Sequence, residues 1–109
     1  MAFSEVLAER IRLAVAHKSG LNEMKMFGGL GFLLNGNMLV GVWNDSLIVR
    51  LSHEAAADAL LESHVTVFDI TGRPMKGWLL VASDGIATDE ELRDWIERAI
   101  AFVETLPQK

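Results

Sequence analysis

Residues 24–51 read MKMFGGLGFLLNGNMLVGVWNDSLIVRL, and they decide the fold because turn residues divide the apolar positions at two points. The first point is Asn35-Gly36, a strong hairpin signal, since both residue types tolerate the positive φ that a type I′ turn requires. The second point is Asn44-Asp45. The stretch therefore predicts three antiparallel strands in a sheet with one covered face and one partly solvated face.

Helices are predicted on both sides of this stretch. Apolar residues recur at three- and four-residue intervals from Phe3 to His17, as in an amphipathic helix. Gly20 is suited to ending that helix near residue 19. Ser52 is suited to capping a second helix of about ten residues, which is rich in alanine.

A second hairpin and a last helix complete the chain. Val65 to Ile70 and Trp78 to Val81 have strand composition, and residues 71–74 read as the turn between them. Residues 88–91 form a capping box for a helix that ends before Pro107. The order α-β-β-β-α-β-β-α predicts an α+β two-layer sandwich, with helices on one face of a five-stranded, mainly antiparallel sheet.

Composition predicts one globular domain over residues 1–109. Half of the 109 residues are hydrophobic and 23% are charged, which argues against disorder and fibrous repeats. The longest nearly uncharged segment, Met26 to Asn44, is interrupted by glycine and asparagine, so we expect neither a membrane span nor an export signal.

Charge and cysteine content narrow the function classes. Ten Lys and Arg against fifteen Asp and Glu give a formal net charge of −5, which disfavours a role that depends on attraction to nucleic-acid phosphates. The chain has no cysteine, which excludes disulfides, thiolate nucleophiles and zinc sites with sulfur ligands. This composition fits a reducing compartment, and we expect a cytoplasmic location.

Glycines at positions 28, 29 and 31 are the residues that most invite a cofactor interpretation. Neither the Walker pattern nor the dinucleotide-binding pattern is present, and the following segment is extended rather than helical. We therefore expect no cofactor, and we interpret these glycines as positions of a bulge or of close backbone approach within a strand.

No catalytic or metal-binding residue is predicted. His17, His53 and His64 lack the spacing of metal ligands. Ser52 precedes His53 directly, but neighbours at a helix start point apart, and a helix cap explains the serine. We expect that the protein is not an enzyme.

Four basic residues and one tryptophan form the candidate interaction surface. Lys25, Arg50, Arg73 and Lys76 are spread over the strands and the second hairpin, and Trp78 begins the last strand. If the basic groups converge on one face, they can bind an acidic partner.

Three motifs carry a family resemblance: residues 25–32 (KMFGGLGF), residues 36–38 (GNM) and residues 72–78 (GRPMKGW). Together they resemble the TfoX N-terminal domain family, also called TfoX/Sxy. The resemblance implies a two-layer fold like that of the secretion chaperones. It also implies a role near transcriptional regulation, because the namesake proteins regulate natural competence together with the cyclic-AMP receptor protein. Those regulators add a C-terminal helical domain. This chain ends at Lys109, just after its third predicted helix, so we expect a stand-alone domain here.

Two hypotheses from different classes follow. The first is a non-catalytic regulatory module that docks a partly apolar, partly basic sheet edge onto a transcription factor or RNA polymerase, with Trp78 as its anchor. The alternative is a small-molecule-binding domain or an enzyme, with a pocket lined by Phe27, Phe32, Trp43 and Trp78. Exposed strand edges also predict that the chain can form a homodimer.

Overall fold

The computed structural model describes residues 3–26, 28–69 and 77–108. Its helices and strands are α1 (Glu5–Ala14), β1 (Leu21–Met26), β2 (Gly29–Leu34), β3 (Asn37–Trp43), β4 (Ser46–Arg50), α2 (His53–Ala59), β5 (Val65–Val67), β6 (Trp78–Val81) and α3 (Asp89–Val103). A 3₁₀ turn at Ser83–Ile86 precedes α3. Within these residues the strands form one antiparallel sheet in the order β1-β2-β3-β4-β6-β5. The predicted α+β fold is confirmed.

The strand count differs from the prediction: the described residues contain six strands where five were predicted. The first predicted strand is a hairpin, in which β1 begins at Leu21 and pairs with β2 up to Met26 opposite Gly29. Gly28 in the connection has a φ of +76°. Gly28-Gly29 is a weaker turn signal than Asn-Gly, and apolar residues continue on both sides of it, which favours the interpretation of glycines inside one strand.

The two predicted turns of the central sheet are confirmed. Asn35 and Gly36 have φ values of +53° and +86°, as a type I′ turn requires. Asn44 has a φ of +56° in the two-residue turn that joins Trp43 to its partner Ser46.

The first two helices are shorter than predicted; the predicted Ser52 cap of the second is confirmed, whereas the first ends before Gly20. The Ser4 side chain accepts the N–H of Leu7, and α1 ends at Ala14, with turns following it before Gly20. The Ser52 side chain accepts the N–H of Ala55, and α2 has seven residues rather than ten.

The third helix begins with the predicted capping box. The Thr88 Oγ1 accepts the Glu91 N–H at 3.1 Å, and the Glu91 Oε1 accepts the Thr88 N–H at 3.0 Å. We expect Thr88→Ala to lower the free energy of unfolding by about 1 kcal/mol, because it leaves a helix N–H without its acceptor. Urea denaturation measures this loss. Thr88→Ser keeps the hydroxyl and is the control; an equal loss in both variants would contradict the capping role.

The main core lies between the helices and one face of the sheet. The amphipathic helix α3 packs across β3 and β4, and α1 packs against α3 and β3. Ile11 of α1 and Ile96 of α3 are fully buried in one cluster with Phe32, Leu39 and Leu47 of the sheet. The sheet residues that alternate with this set point to the opposite face, where the candidate site lies.

Candidate interaction surface

The sheet face turned away from the helices, which we call the second face, carries its own apolar cluster. The cluster consists of buried Met38, Ile48 and Phe68 and partly buried Met26, Trp43, Trp78 and Leu80. Along β4, Leu47 and Val49 belong to the main core, whereas Ile48 between them belongs to this second cluster. The second face is therefore apolar at its centre and half-exposed around it.

Phe68 is a buried residue of this face that was not among the site residues predicted from the sequence. The strand predicted to reach Ile70 ends at Val67, and Phe68 follows it with only 1% of its surface exposed. Its N–H donates to the Trp78 carbonyl at 3.1 Å, and its ring meets the Trp43 ring edge-on, with centroids 6.3 Å apart. The signal that could have identified Phe68 is strand alternation. Phe68 lies two residues after Thr66, which is paired with Leu80 of the second face, so both point to that face.

Arg50 and Trp78 are the two predicted site residues that the structure brings together. They are direct partners across β4 and β6, and the Arg50 Cζ lies 5.3 Å from the Trp78 ring centroid. The same Cζ lies 5.9 Å from the Phe102 ring, and Arg50 Nη1 donates to the Met38 carbonyl at 3.4 Å. Burial lowers the pKa of Arg50, yet arginine remains a cation at neutral pH. A fixed positive charge therefore lies at the rim of the second face.

Lys25 lies apart from this pair. It is exposed on β1, three strands from β4, which is about 14 Å at ordinary strand spacing. Its cross-strand partner is Leu30, which belongs to the main core, so Lys25 points to the helix side of the sheet. Arg73 and Lys76, and the predicted turn at residues 71–74, lie outside the described residues.

The alternative pocket is not formed as predicted. Phe32 is 1% exposed in the main core, whereas Trp43 and Trp78 belong to the cluster on the second face. The sheet itself separates them, because alternate positions along its strands point to opposite faces. Phe27, the fourth predicted member, lies outside the described residues.

A groove of about 480 Å³ does lie beside the main core, between α1 and β1. The charged groups that line it pair with carboxylates of the same chain: Arg12 binds both oxygens of Glu23 at 2.8 Å, and Lys18 pairs with Glu104. The hydrogen bonds from Arg12 lower the pKa of Glu23, against the opposing effect of partial burial. These charges are neutralised within the chain rather than directed at a ligand.

The Arg12–Glu23 pair predicts a pH dependence. Because the folded-state pKa of Glu23 is depressed, the pair stabilises the fold fully above the unfolded-state pKa of about 4.3, and this stabilisation is lost as the pH falls through the lower folded-state pKa. Arg12→Ala is expected to raise the pKa of Glu23, which an NMR titration of its carboxyl carbon measures. Leu13→Ala, at an exposed neighbouring position, is the control. An unchanged pKa of Glu23 in Arg12→Ala would refute this assignment.

Among the described residues, no group of three or more His, Cys, Asp or Glu side chains is arranged to hold a metal ion. His17 lies near one carboxylate, with its Nε2 3.9 Å from Glu97.

None of the helices in the described part of the chain has the length and apolarity that a membrane crossing requires.

Comparison with known families gives a match that spans the three motifs. The family model described as the TfoX N-terminal domain matches residues 14–103, most of the chain. The chain belongs to this family. No curated protein gives a significant match, and no solved structure does. The matched residues of this TfoX N-terminal domain run from the end of α1 to the end of α3, so they contain the whole sheet and every residue of the second face.

Proposed function

We propose that this TfoX N-terminal domain is a non-catalytic regulatory module that binds a protein partner through the second face. The observation that carries the proposal is Arg50 stacked on Trp78 at the rim of an apolar cluster whose outer members are partly exposed. Arginine and tryptophan are enriched among residues that dominate binding energy, where a desolvated centre is surrounded by contacts that exclude water. The second face has this composition.

The partner we propose is a transcription factor or RNA polymerase, the class that membership of the TfoX family favours. Trp78 would insert as the anchor, and Trp43 and Leu80 would exclude water around it. Arg73 and Lys76 precede Trp78 by five and two positions in the sequence, and we propose that they steer an acidic patch of the partner toward it. Such a partner and the absence of cysteine both fit a cytoplasmic location.

Affinity capture from native cell extract tests this function. The tagged chain is used with and without nuclease, and the captured proteins are identified by mass spectrometry. We expect enrichment of a transcription factor or a polymerase subunit that survives nuclease. The double variant Arg73→Glu/Lys76→Glu is expected to lose it, because charge reversal turns steering into repulsion.

Arg93→Glu is the control, because it reverses the charge of one exposed arginine of α3, as each of the two substitutions in the double variant does. Circular dichroism establishes that each variant is folded. Loss of the captured partner on nuclease treatment would contradict direct protein docking. Full capture by the folded double variant would contradict steering by Arg73 and Lys76.

A further inference from the structure

Among the described residues, β1 and β5 are the two edge strands of the sheet, and β1 is the longer. It has six residues, whereas β5 at the opposite edge has three. Four of the six β1 residues are exposed, and Met24 presents 53% of its surface to solvent. An edge strand offers a row of unpaired N–H and C=O groups to another strand.

The hydrogen bonds of the first hairpin fix which backbone groups of β1 are available. The Asn35 N–H donates to the Gly20 carbonyl at 3.0 Å, immediately before Leu21 pairs with Leu34. Because bonded and non-bonded pairs alternate along an antiparallel ladder, Asn22 and Met24 are bonded to β2. The N–H and C=O groups of Leu21, Glu23 and Lys25 therefore point outward from the sheet.

We propose that β1 pairs in antiparallel fashion with β1 of a second copy of this chain, with Met24 of the two copies at the centre. In this register Glu23 of each copy lies opposite Lys25 of the other, and both residues use their outward backbone groups. The neighbouring registers that the backbone allows place Glu23 opposite Glu23, or Lys25 opposite Lys25. Like charges directly opposite each other are destabilising, so charge selects the register centred on Met24.

The side chains of the single chain are arranged for this pairing. Glu23 and Lys25 both point to the helix side, since their cross-strand partners Phe32 and Leu30 belong to the main core. Lys25 has no ion-pair partner among the described residues, while Arg12 already orients Glu23 with two hydrogen bonds. Pairing would give Lys25 a carboxylate and would cover the exposed Met24 with its counterpart.

The product is a twofold dimer with a continuous sheet of twelve strands, six from each copy. The twofold axis of an antiparallel strand pair centred in this way is perpendicular to the sheet. Both helix layers therefore lie on one side, and both second faces lie on the other. The dimer leaves Trp43 and Trp78 uncovered, so the proposed pairing does not depend on the proposed function.

Charge variants test the pairing by sedimentation equilibrium from micromolar to millimolar concentrations. We expect the wild-type chain to dimerise and Lys25→Glu to weaken the dimer tenfold or more, because symmetry places two like-charged pairs in one interface. Glu23→Lys is expected to do the same. An equimolar mixture of the two variants restores opposite charges at both positions and is expected to dimerise like the wild type.

Arg93→Glu is the control for the charge change, and circular dichroism checks folding. A wild-type chain that stays monomeric over the whole range overturns the proposal. So does a dimer that Lys25→Glu leaves unchanged, or a mixture of well-folded variants that does not recover.

A cysteine cross-link tests the register independently of charge. The chain contains no cysteine, and residues in a non-bonded antiparallel pair have Cα atoms about 4.5 Å apart, within disulfide range. Met24→Cys is therefore expected to give a covalent dimer under mild oxidation. Leu61→Cys, which is 88% exposed after α2, is the control and is expected to remain uncross-linked. Equal cross-linking of the two variants would overturn the register.

Discussion

Gly29→Ala is expected to lower the free energy of unfolding by about 3 kcal/mol, a large part of the stability of a small domain. A Cβ at this position would overlap the carbonyl oxygen of Val42 on β3. That oxygen cannot move away cheaply, because β3 is held on both sides by β2 and β4. This contact agrees with the interpretation of Gly29 as a position of close backbone approach. Urea denaturation measures the loss.

Gly31→Ala is the matched control on the same strand and the same face. The three atoms nearest to a Cβ there belong to the flexible ends of Met26 and Met38, at 2.8 to 3.0 Å, and both side chains can shift. We expect a loss of about 1 kcal/mol or less. Equal losses of stability in Gly29→Ala and Gly31→Ala would contradict the argument that Gly29 is required by its close contact with the backbone of β3.

Phe68→Ala is expected to cost 3–5 kcal/mol, the range for removing a buried phenylalanine. Phe68 is 1% exposed and closes the second face over Ile48. Its removal leaves a cavity and takes away the edge-on partner of Trp43. Because these side chains build the proposed docking face, partner capture is expected to fall even at temperatures at which the variant remains folded.

Phe102→Ala is the control for this prediction, since Phe102 is only partly buried at the end of α3. A smaller loss is expected there. If Phe68→Ala proved no more destabilising than Phe102→Ala, the second face would not contain a packed cluster, and the case for a preformed docking surface would fail.

Local signals predicted the parts of the fold that local chemistry controls. Asn35-Gly36 predicted a hairpin because both residue types suit positive φ. The capping box of Thr88 and Glu91 predicted the start of α3 because its two residues lie within one helical turn. The turn after β1 was missed, since its positive φ falls on Gly28 in a run of apolar residues.

The candidate site was less predictable because it depends on which strands become neighbours. Arg50 and Trp78 meet only because β4 pairs with β6, across a connection that includes α2 and β5. Lys25 was grouped with them by charge alone, and its cross-strand partner Leu30 directs it to the other side of the sheet. Sequence spacing predicts neither the pairing of β4 with β6 nor the direction of Lys25, whereas the match to the family model spans all the described strands.

Site-specific photo-cross-linking tests most directly whether the second face is the docking surface. A photoreactive amino acid replaces Leu80, which lies half-exposed on the second face, or Arg93, which lies exposed on the helix side. The account predicts a cross-linked transcription factor or polymerase subunit from position 80 and none from position 93. A partner cross-linked from position 93 alone would contradict it and place docking on the helices.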